Sequence, residues 1–174
     1  MNLKELGSKI VAASYLEGDF ILSSGKRSHY YFDKYLFETR PDLLRPLIKE
    51  MSRLLPAPAD YDLLAGPELG GVTLATGLSL ETGKPFVIVK KAAKDYGTAK
   101  IIEGKLQRGQ KVVLVDDILT SGHKAVEAAN RLVKEGGQVV LILGVIDRQE
   151  GAAEHLAAAG YNYKAVFTKK DLGI

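Results

Sequence analysis

One uninterrupted run, residues 111–124, restricts the fold of this chain more than any other segment. After Lys111 come four apolar residues, 112–115, which predict a short strand buried on both faces, as inside a parallel sheet. Two adjacent carboxylates, Asp116 and Asp117, follow the strand. A Thr-Ser-Gly turn at 120–122 comes next, and apolar residues then resume at helical spacing. The run therefore predicts a strand, an acidic strand end, a tight turn and a helix.

The order of these elements indicates a binding site. A loop between a strand and a helix N-terminus presents unpaired backbone N–H groups beside the positive end of the helix dipole, which suits a phosphate. Asp116 and Asp117 can accept hydrogen bonds from sugar hydroxyls. Together they predict a site for a phosphorylated ribose. The alternative is an ordinary strand end, at which Asp117 or Thr120 only caps the following helix.

The rest of the chain alternates strand-like and helix-like segments. Strands are predicted at 20–22, 30–32, 62–65, 86–89, 112–115, 139–146 and 163–167. Helices are predicted at 3–17, 41–55, 70–82, 124–134 and 152–159. This alternation predicts an α/β fold in one domain, residues 1–174, with a mainly parallel sheet and helices on both faces. Ligands of such sheets bind beyond the carboxyl ends of the strands.

Composition excludes several classes of function. The 174 residues include no cysteine, so disulfides, cysteine-ligated zinc and thiol nucleophiles are excluded. The formal net charge of +3 suits a small anionic substrate and does not by itself indicate nucleic acid. No segment has the apolar core of a signal peptide or the length of a membrane span, which predicts a cytoplasmic protein without membrane contact. Neither a G-x-G-x-x-G motif after a strand nor a P-loop motif is present.

The run from Val112 to Lys124 resembles, without a gap, the signature of the type I phosphoribosyltransferases, whose substrate is phosphoribosyl pyrophosphate (PRPP). The resemblance implies a mainly parallel central sheet with helices on both faces. It also implies a small hood built from roughly residues 1–40 and the C-terminal segment. It implies a need for Mg²⁺, held mostly by substrate oxygens and water, with no protein metal ligand. The implied contacts to the ribose 5-phosphate of PRPP are Asp116, Asp117, Ile118, Leu119, Thr120, Ser121, Gly122, His123 and Lys124, with Asp116 and Asp117 also catalytic.

A glycine-rich loop, residues 66–71, follows the strand predicted at 62–65. Glycines allow the backbone to approach a ligand closely. In the resembled family this loop holds the pyrophosphate, which implies PRPP contacts from Glu68, Leu69 and Gly70. The alternative is an ordinary tight turn.

Three lysines stand within five positions at 90–94. Such a run is often a solvated face, but this one resembles the catalytic loop of the orotate phosphoribosyltransferases. Lys91 and Lys94 match the family pattern, whereas Lys90 replaces an arginine and Tyr96 replaces a histidine. The resemblance implies PRPP contacts from all four residues and a catalytic role for Lys94, which in the family reaches the neighbouring subunit's site. A homodimer with Lys94 acting across its interface is therefore expected.

Two segments resemble the orotate-binding parts of the same family. In Asp-Arg-Gln-Glu at 147–150, Arg148 would contact the carboxylate of the pyrimidine, because a guanidinium can grip a carboxylate with two hydrogen bonds. The segment 20–33 resembles the hood, where Lys26, Tyr31 and Phe32 would contact orotate, together with Thr120. The alternatives are a surface ion pair for Arg148 and core packing for the two aromatic residues.

The resemblance implies the synthesis of orotidine 5′-monophosphate and pyrophosphate from orotate and PRPP, a step of de novo pyrimidine synthesis. Two alternatives stay open. One is a phosphoribosyltransferase for another base, against which residues 147–150 speak. The other is a non-catalytic regulator that senses PRPP and binds nucleic acid, which would need an added domain or a broad basic face.

Overall fold

A computed structural model describes residues 1–21, 25, 27–92 and 100–174. The helices of these residues are α1 (Leu3–Ser14), α2 (Tyr35–Glu38), α3 (Pro41–Ser52), α4 (Gly70–Thr82), α5 (His123–Lys134), α6 (Ala152–Ala158) and α7 (Lys169–Leu172). The strands are β1 (Tyr15–Ile21), β2 (Arg27–Phe32), β3 (Leu63–Pro67), β4 (Phe86–Val89), β5 (Ile102–Glu103), β6 (Lys111–Leu119), β7 (Gln138–Asp147) and β8 (Tyr163–Thr168).

Six strands form one sheet in the order β5-β4-β3-β6-β7-β8. All neighbours are parallel except β4 and β5, which are antiparallel. Strands β1 and β2 form a separate antiparallel hairpin. The predicted α/β fold with a mainly parallel sheet is therefore confirmed.

The sheet is covered on both faces, as the apolar run at 112–115 predicts. Val113 and Val115 pack into a core with α1, α3 and α4, whereas Val112 and Leu114 pack into a second core with α5 and α6. Successive side chains of a strand point to opposite faces, so only a strand enclosed by two layers needs four consecutive apolar residues.

The structure corrects the predicted first helix. Helix α1 ends at Ser14 rather than at residue 17, and the residues from Tyr15 onward belong to β1. The helical pattern is overridden by pairing, because Tyr15 lies opposite Phe32 and the N–H of Asp33 donates to the Ser14 carbonyl at 2.8 Å. Local periodicity is a weaker determinant than this long-range hairpin.

Two further differences affect the site. Strand β6 continues four residues beyond the predicted end at 115, because Ile118 and Leu119 still pair with β7. The acidic pair therefore lies within a strand rather than after it. The short helix α2, which was not predicted, places Lys34 and Glu38 beside that pair. In the described part of the chain, no helix has the length and apolar character needed to cross a bilayer.

Candidate active site

The carboxyl ends of β3 and β6 open onto a cavity of about 380 Å³. Most of the predicted site residues line it: Tyr31, Phe32, Glu68, Leu69, Lys91, Arg148 and every residue from 116 to 124. Gly70 begins the helix that lies against Asp117. Lys26, Lys94 and Tyr96, which were also predicted to contact substrates, lie outside the described residues.

The predicted phosphate loop forms as a turn that ends on α5. Gly122 precedes the helix with a φ of 79°, a conformation that favours glycine. The turn also leaves little space, because a Cβ at this position would lie 3.2 Å from Cα of Ala152. The first turn of this 12-residue helix has no side-chain cap, so its backbone N–H groups are free to meet an anion.

His123, at the start of α5, makes contacts beyond those predicted from the sequence. Its Nδ1 lies 3.0 Å from the Ser121 hydroxyl, and its ring stacks on that of His155 with centroids 4.0 Å apart. The stacked pair therefore lies next to the turn at 120–122.

The acidic pair is held firmly at the centre of the cavity. Asp117 is only 4% exposed, accepts a 2.6 Å hydrogen bond from the Ile118 N–H and forms an ion pair with Lys34. Burial, followed by the charge of Asp117, raises the pKa of Asp116 well above its usual range. Two adjacent carboxylates here can accept hydrogen bonds from a diol and can stabilise positive charge that develops between them.

The glycine-rich loop packs tightly against the acidic pair. A Cβ at Gly70 would overlap the Oδ2 atom of Asp117, so this position requires glycine for lack of space. At the other end of the loop, a Glu68 carboxylate oxygen accepts a 3.2 Å hydrogen bond from the Lys91 N–H. The two segments predicted to contact pyrophosphate are therefore neighbours.

The first lysine of the basic run is turned away from this cavity. Lys90 is 6% exposed, and its ammonium donates to a Glu103 carboxylate oxygen at 2.8 Å. Its carbonyl accepts a 3.0 Å hydrogen bond from Arg131. In this arrangement Lys90 joins β4 to β5, whereas Lys91 lines the cavity. The predicted contact of Lys90 with PRPP stays a prediction.

A second cavity of about 740 Å³ adjoins the first and shares Tyr31, Phe32, Thr120 and Arg148 with it. Tyr31 is 42% exposed and presents its ring there, whereas Phe32 is buried and packs on Phe37. The guanidinium of Arg148 contacts the hydroxyl of Tyr30 at 2.9 Å and the Glu150 carboxylate at 3.0 Å. A flat ring with an acidic substituent fits this combination of aromatic faces and one guanidinium.

Sequence reasoning missed several residues at this site, and three of them, Tyr30, Lys34 and Glu38, lie beside predicted site residues. The sequence predicts a strand that contains Tyr30, and no motif in it indicates a site role for Lys34 or Glu38. Lys34 and Glu38 are four positions apart, the spacing of neighbours on one helix face, but no local pattern predicts a helix there. The four-residue helix that joins them is too short to show a periodic pattern.

Among the residues that the structure describes, a divalent cation would find few direct ligands. Within the described ranges, no three histidine or carboxylate side chains are arranged to hold a metal ion. This donor set fits Mg²⁺ that takes most of its ligands from phosphate oxygens and water, as that ion prefers.

Comparison with known proteins agrees with this geometry. The sequence profile of the "Phosphoribosyl transferase domain" family matches residues 40–163. The orotate phosphoribosyltransferase of Pyrococcus horikoshii is 48% identical over 149 residues, which cover 84% of this chain and 79% of the relative. That of Methanopyrus kandleri is 45% identical and covers 99% of this chain and 92% of its own length. Among solved structures, the orotate phosphoribosyltransferase of Mycobacterium tuberculosis in complex with PRPP has a TM-score of 0.83 and 31% identity, over 99% of both chains.

Proposed function

The chain belongs to the orotate phosphoribosyltransferase family, and we propose that the two adjoining cavities bind PRPP and orotate for transfer of the ribose 5-phosphate. The products are orotidine 5′-monophosphate and pyrophosphate, a step of pyrimidine biosynthesis. One observation carries the assignment of the site: the phosphate loop, the acidic pair and Arg148 all line the same cavity.

PRPP is bound along the larger part of the 380 Å³ cavity. Its 5-phosphate accepts hydrogen bonds from the turn at 120–122 and from the first N–H groups of α5. Its ribose hydroxyls donate to Asp116 and Asp117. Its pyrophosphate lies on the loop at 68–70, within reach of the Lys91 ammonium.

Orotate occupies the adjoining cavity. Arg148 pairs with the orotate carboxylate, while the exposed ring of Tyr31 packs on the pyrimidine. This contact favours orotate over a base without a carboxylate, since only a carboxylate can form charge-assisted hydrogen bonds with the guanidinium.

The reaction exchanges one bond at C1 of the ribose. N1 of orotate forms a bond to C1, the bond from C1 to the pyrophosphate oxygen breaks, and its electron pair leaves with pyrophosphate. The proton that N1 of orotate loses is taken up by the departing pyrophosphate. Positive charge develops on the ribose, and the carboxylates of Asp116 and Asp117 stabilise it. Mg²⁺, when bound to substrate oxygens, would neutralise part of the charge of the leaving group.

Three further parts of the proposal depend on the family resemblance. Lys94 neutralises the departing pyrophosphate, the protein acts as a homodimer, and each Lys94 serves the partner subunit's site. Lys94 lies outside the described residues. A cytoplasmic location stays a prediction of the sequence.

The test is the consumption of orotate, followed by its ultraviolet absorbance, with PRPP and with or without Mg²⁺. We expect loss of orotate that needs both PRPP and Mg²⁺, and no loss with an Asp117→Asn variant that keeps its fold. A wild-type protein that binds PRPP but leaves orotate unchanged would contradict the proposed substrate, and a panel of purine bases and uracil would then identify another base.

A further inference from the structure

Glu38 is a buried carboxyl group that the proposed mechanism does not use. Its side chain belongs to α2 and is 1% exposed. Among the described residues, neither of its carboxyl oxygens has a hydrogen-bond partner. A buried carboxylate without hydrogen-bond partners is strongly unfavourable, so the uncharged, protonated form of Glu38 is favoured.

Glu38 lies directly against the acidic pair. The point that a Gly70 Cβ would occupy is overlapped by Asp117 Oδ2 and is 3.0 Å from Glu38 Oε1. The absence of a side chain at position 70 is therefore what allows these two carboxyl groups to approach each other. Both residues are buried.

Lys34 completes the cluster. The Glu38 N–H donates to the Lys34 carbonyl at 3.1 Å, so one helical turn brings both side chains to the same side of the chain. The Lys34 ammonium forms its ion pair with Asp117, not with Glu38. The same ammonium borders the cavity proposed for PRPP.

We propose that Glu38 is a positioning residue that acts as an uncharged acid. It packs behind Asp117 and does not compete with it for Lys34, so that the Asp117 carboxylate pairs with Lys34 and accepts hydrogen bonds from the ribose hydroxyls. The inference rests on the proposed function, in which Asp117 binds the ribose of PRPP. It adds two residues, Lys34 and Glu38, to those that determine how PRPP is held.

The electrostatics of the cluster agree with an uncharged Glu38. Burial, followed by the negative charge of Asp117, raises the pKa of Glu38 to about 8. The groups that face it are Asp117 and Asp116 on β6, and Lys34 and Asp33 before α2. Lys34 is the only cation among these four, and it is already paired with Asp117.

Ionisation of Glu38 at alkaline pH should weaken the binding of PRPP. When Glu38 loses its proton, a second negative charge arises behind Asp117 and competes with it for Lys34. Both effects oppose the binding of PRPP, which is itself an anion. The binding of orotate in the adjoining cavity serves as an internal reference, because its contacts do not include Glu38.

The test compares Glu38→Gln, which is uncharged at every pH, with the wild type and with Glu81→Gln, the same change at an exposed position near the end of α4. Calorimetry gives the Kd for PRPP in the presence of Mg²⁺ from pH 6.5 to 9. We expect similar affinities at pH 6.5. Above pH 8, the wild type and Glu81→Gln should lose roughly fivefold more affinity than Glu38→Gln.

Thermal unfolding gives a second measurement that does not depend on the function. Because folding raises the pKa of Glu38 from 4.5 to about 8, its contribution to stability is complete below pH 4.5 and is lost as pH rises through 8. The Tm of Glu38→Gln relative to the wild type should therefore increase between pH 5 and pH 9. A role in packing alone would give a constant difference.

Each contrary result has a distinct meaning. A constant difference in Tm would overturn the uncharged state of Glu38. A changing Tm with parallel affinity profiles would overturn its influence on PRPP, and so would a large loss of affinity by Glu38→Gln at pH 6.5. If Glu38→Gln does not fold, Glu38→Met replaces it, and failure of both would overturn the proposal because an uncharged side chain of this size should be accepted. A wild type that binds no PRPP at any pH would overturn the proposed function itself.

Discussion

The guanidinium of Arg148 donates a 2.9 Å hydrogen bond to the hydroxyl of Tyr30, which belongs to the hairpin and not to the central sheet. The Tyr30 ring in turn stacks on Tyr15, with ring centroids 5.3 Å apart and an angle of 12° between the planes. The same nitrogen of Arg148, Nη2, also forms an ion pair with Glu150 at 3.0 Å. The hairpin and the end of β7 therefore fix the direction of the guanidinium before a substrate enters.

Replacing Arg148 by Ala removes the proposed partner of the orotate carboxylate. Since charge-assisted hydrogen bonds are lost, we expect the KM for orotate to rise roughly 10- to 100-fold while the KM for PRPP changes little. Steady-state kinetics with each substrate varied in turn measure both values. Arg40→Ala removes an exposed arginine that pairs with Asp42 and serves as the control. A larger effect on PRPP than on orotate would show that Arg148 has been assigned to the wrong substrate.

The Tyr30→Phe variant keeps the stacked ring and removes only the hydroxyl that holds Arg148. The guanidinium then loses one fixed partner, and we expect a KM for orotate roughly 3- to 10-fold higher with a nearly unchanged kcat. The matched control is Tyr161→Phe, which removes a hydroxyl that donates to Asn130 at 2.7 Å on α5. Equal effects from the two variants would mean that Tyr30 contributes only general stability.

The site also depends on glycine at position 70, where there is no space for a Cβ atom. In Gly70→Ala the new Cβ would displace the Asp117 carboxylate, which is held by Ile118 and Lys34 and cannot move freely. We expect kcat/KM for PRPP to fall at least about tenfold, with a modest change in Tm.

Gly77 on the same helix provides the control for this variant. A Cβ there would meet the Ile48 side chain at 2.6 Å in the apolar core, away from the cavity. Gly77→Ala should therefore lower Tm and leave kcat/KM for PRPP nearly unchanged. The opposite ranking of the two variants would contradict the contact between position 70 and Asp117.

The parts of the fold that were predictable have strong local signals. Residues 112–115 indicate a strand enclosed on two sides, and they do pack into both cores. The strand–turn–helix order was enough to locate the turn at 120–122 before α5, in which Gly122 has a φ of 79°. These signals are local because each depends on neighbours in the chain.

The parts that were not predictable depend on distant pairing. Tyr15 joins a strand instead of continuing α1 because it lies opposite Phe32. Likewise, Lys34 becomes a site residue only because α2 packs near β6 and its ammonium meets Asp117, 83 positions along the chain. Ordinary residue types without a local pattern gain such roles from tertiary contacts, which a single sequence does not display.

Subunit mixing tests the expected homodimer and the role of Lys94 together. We expect Lys94→Ala to lower turnover strongly without loss of the fold, because a cation opposite the leaving pyrophosphate is removed. Asp117→Asn should also be nearly inactive, since its amide cannot replace the buried carboxylate beside the ribose.

In a mixed dimer of Lys94→Ala and Asp117→Asn, one site would combine an intact Asp117 with an intact Lys94 from the other subunit. The second site would carry both changes. Random exchange of equal amounts should therefore restore about a quarter of the wild-type turnover, because half of the dimers are mixed and each has one complete site. Differently tagged subunits confirm that mixed dimers form, and each variant alone gives the background. Mixed dimers without any recovery of turnover would mean that each subunit supplies its own Lys94.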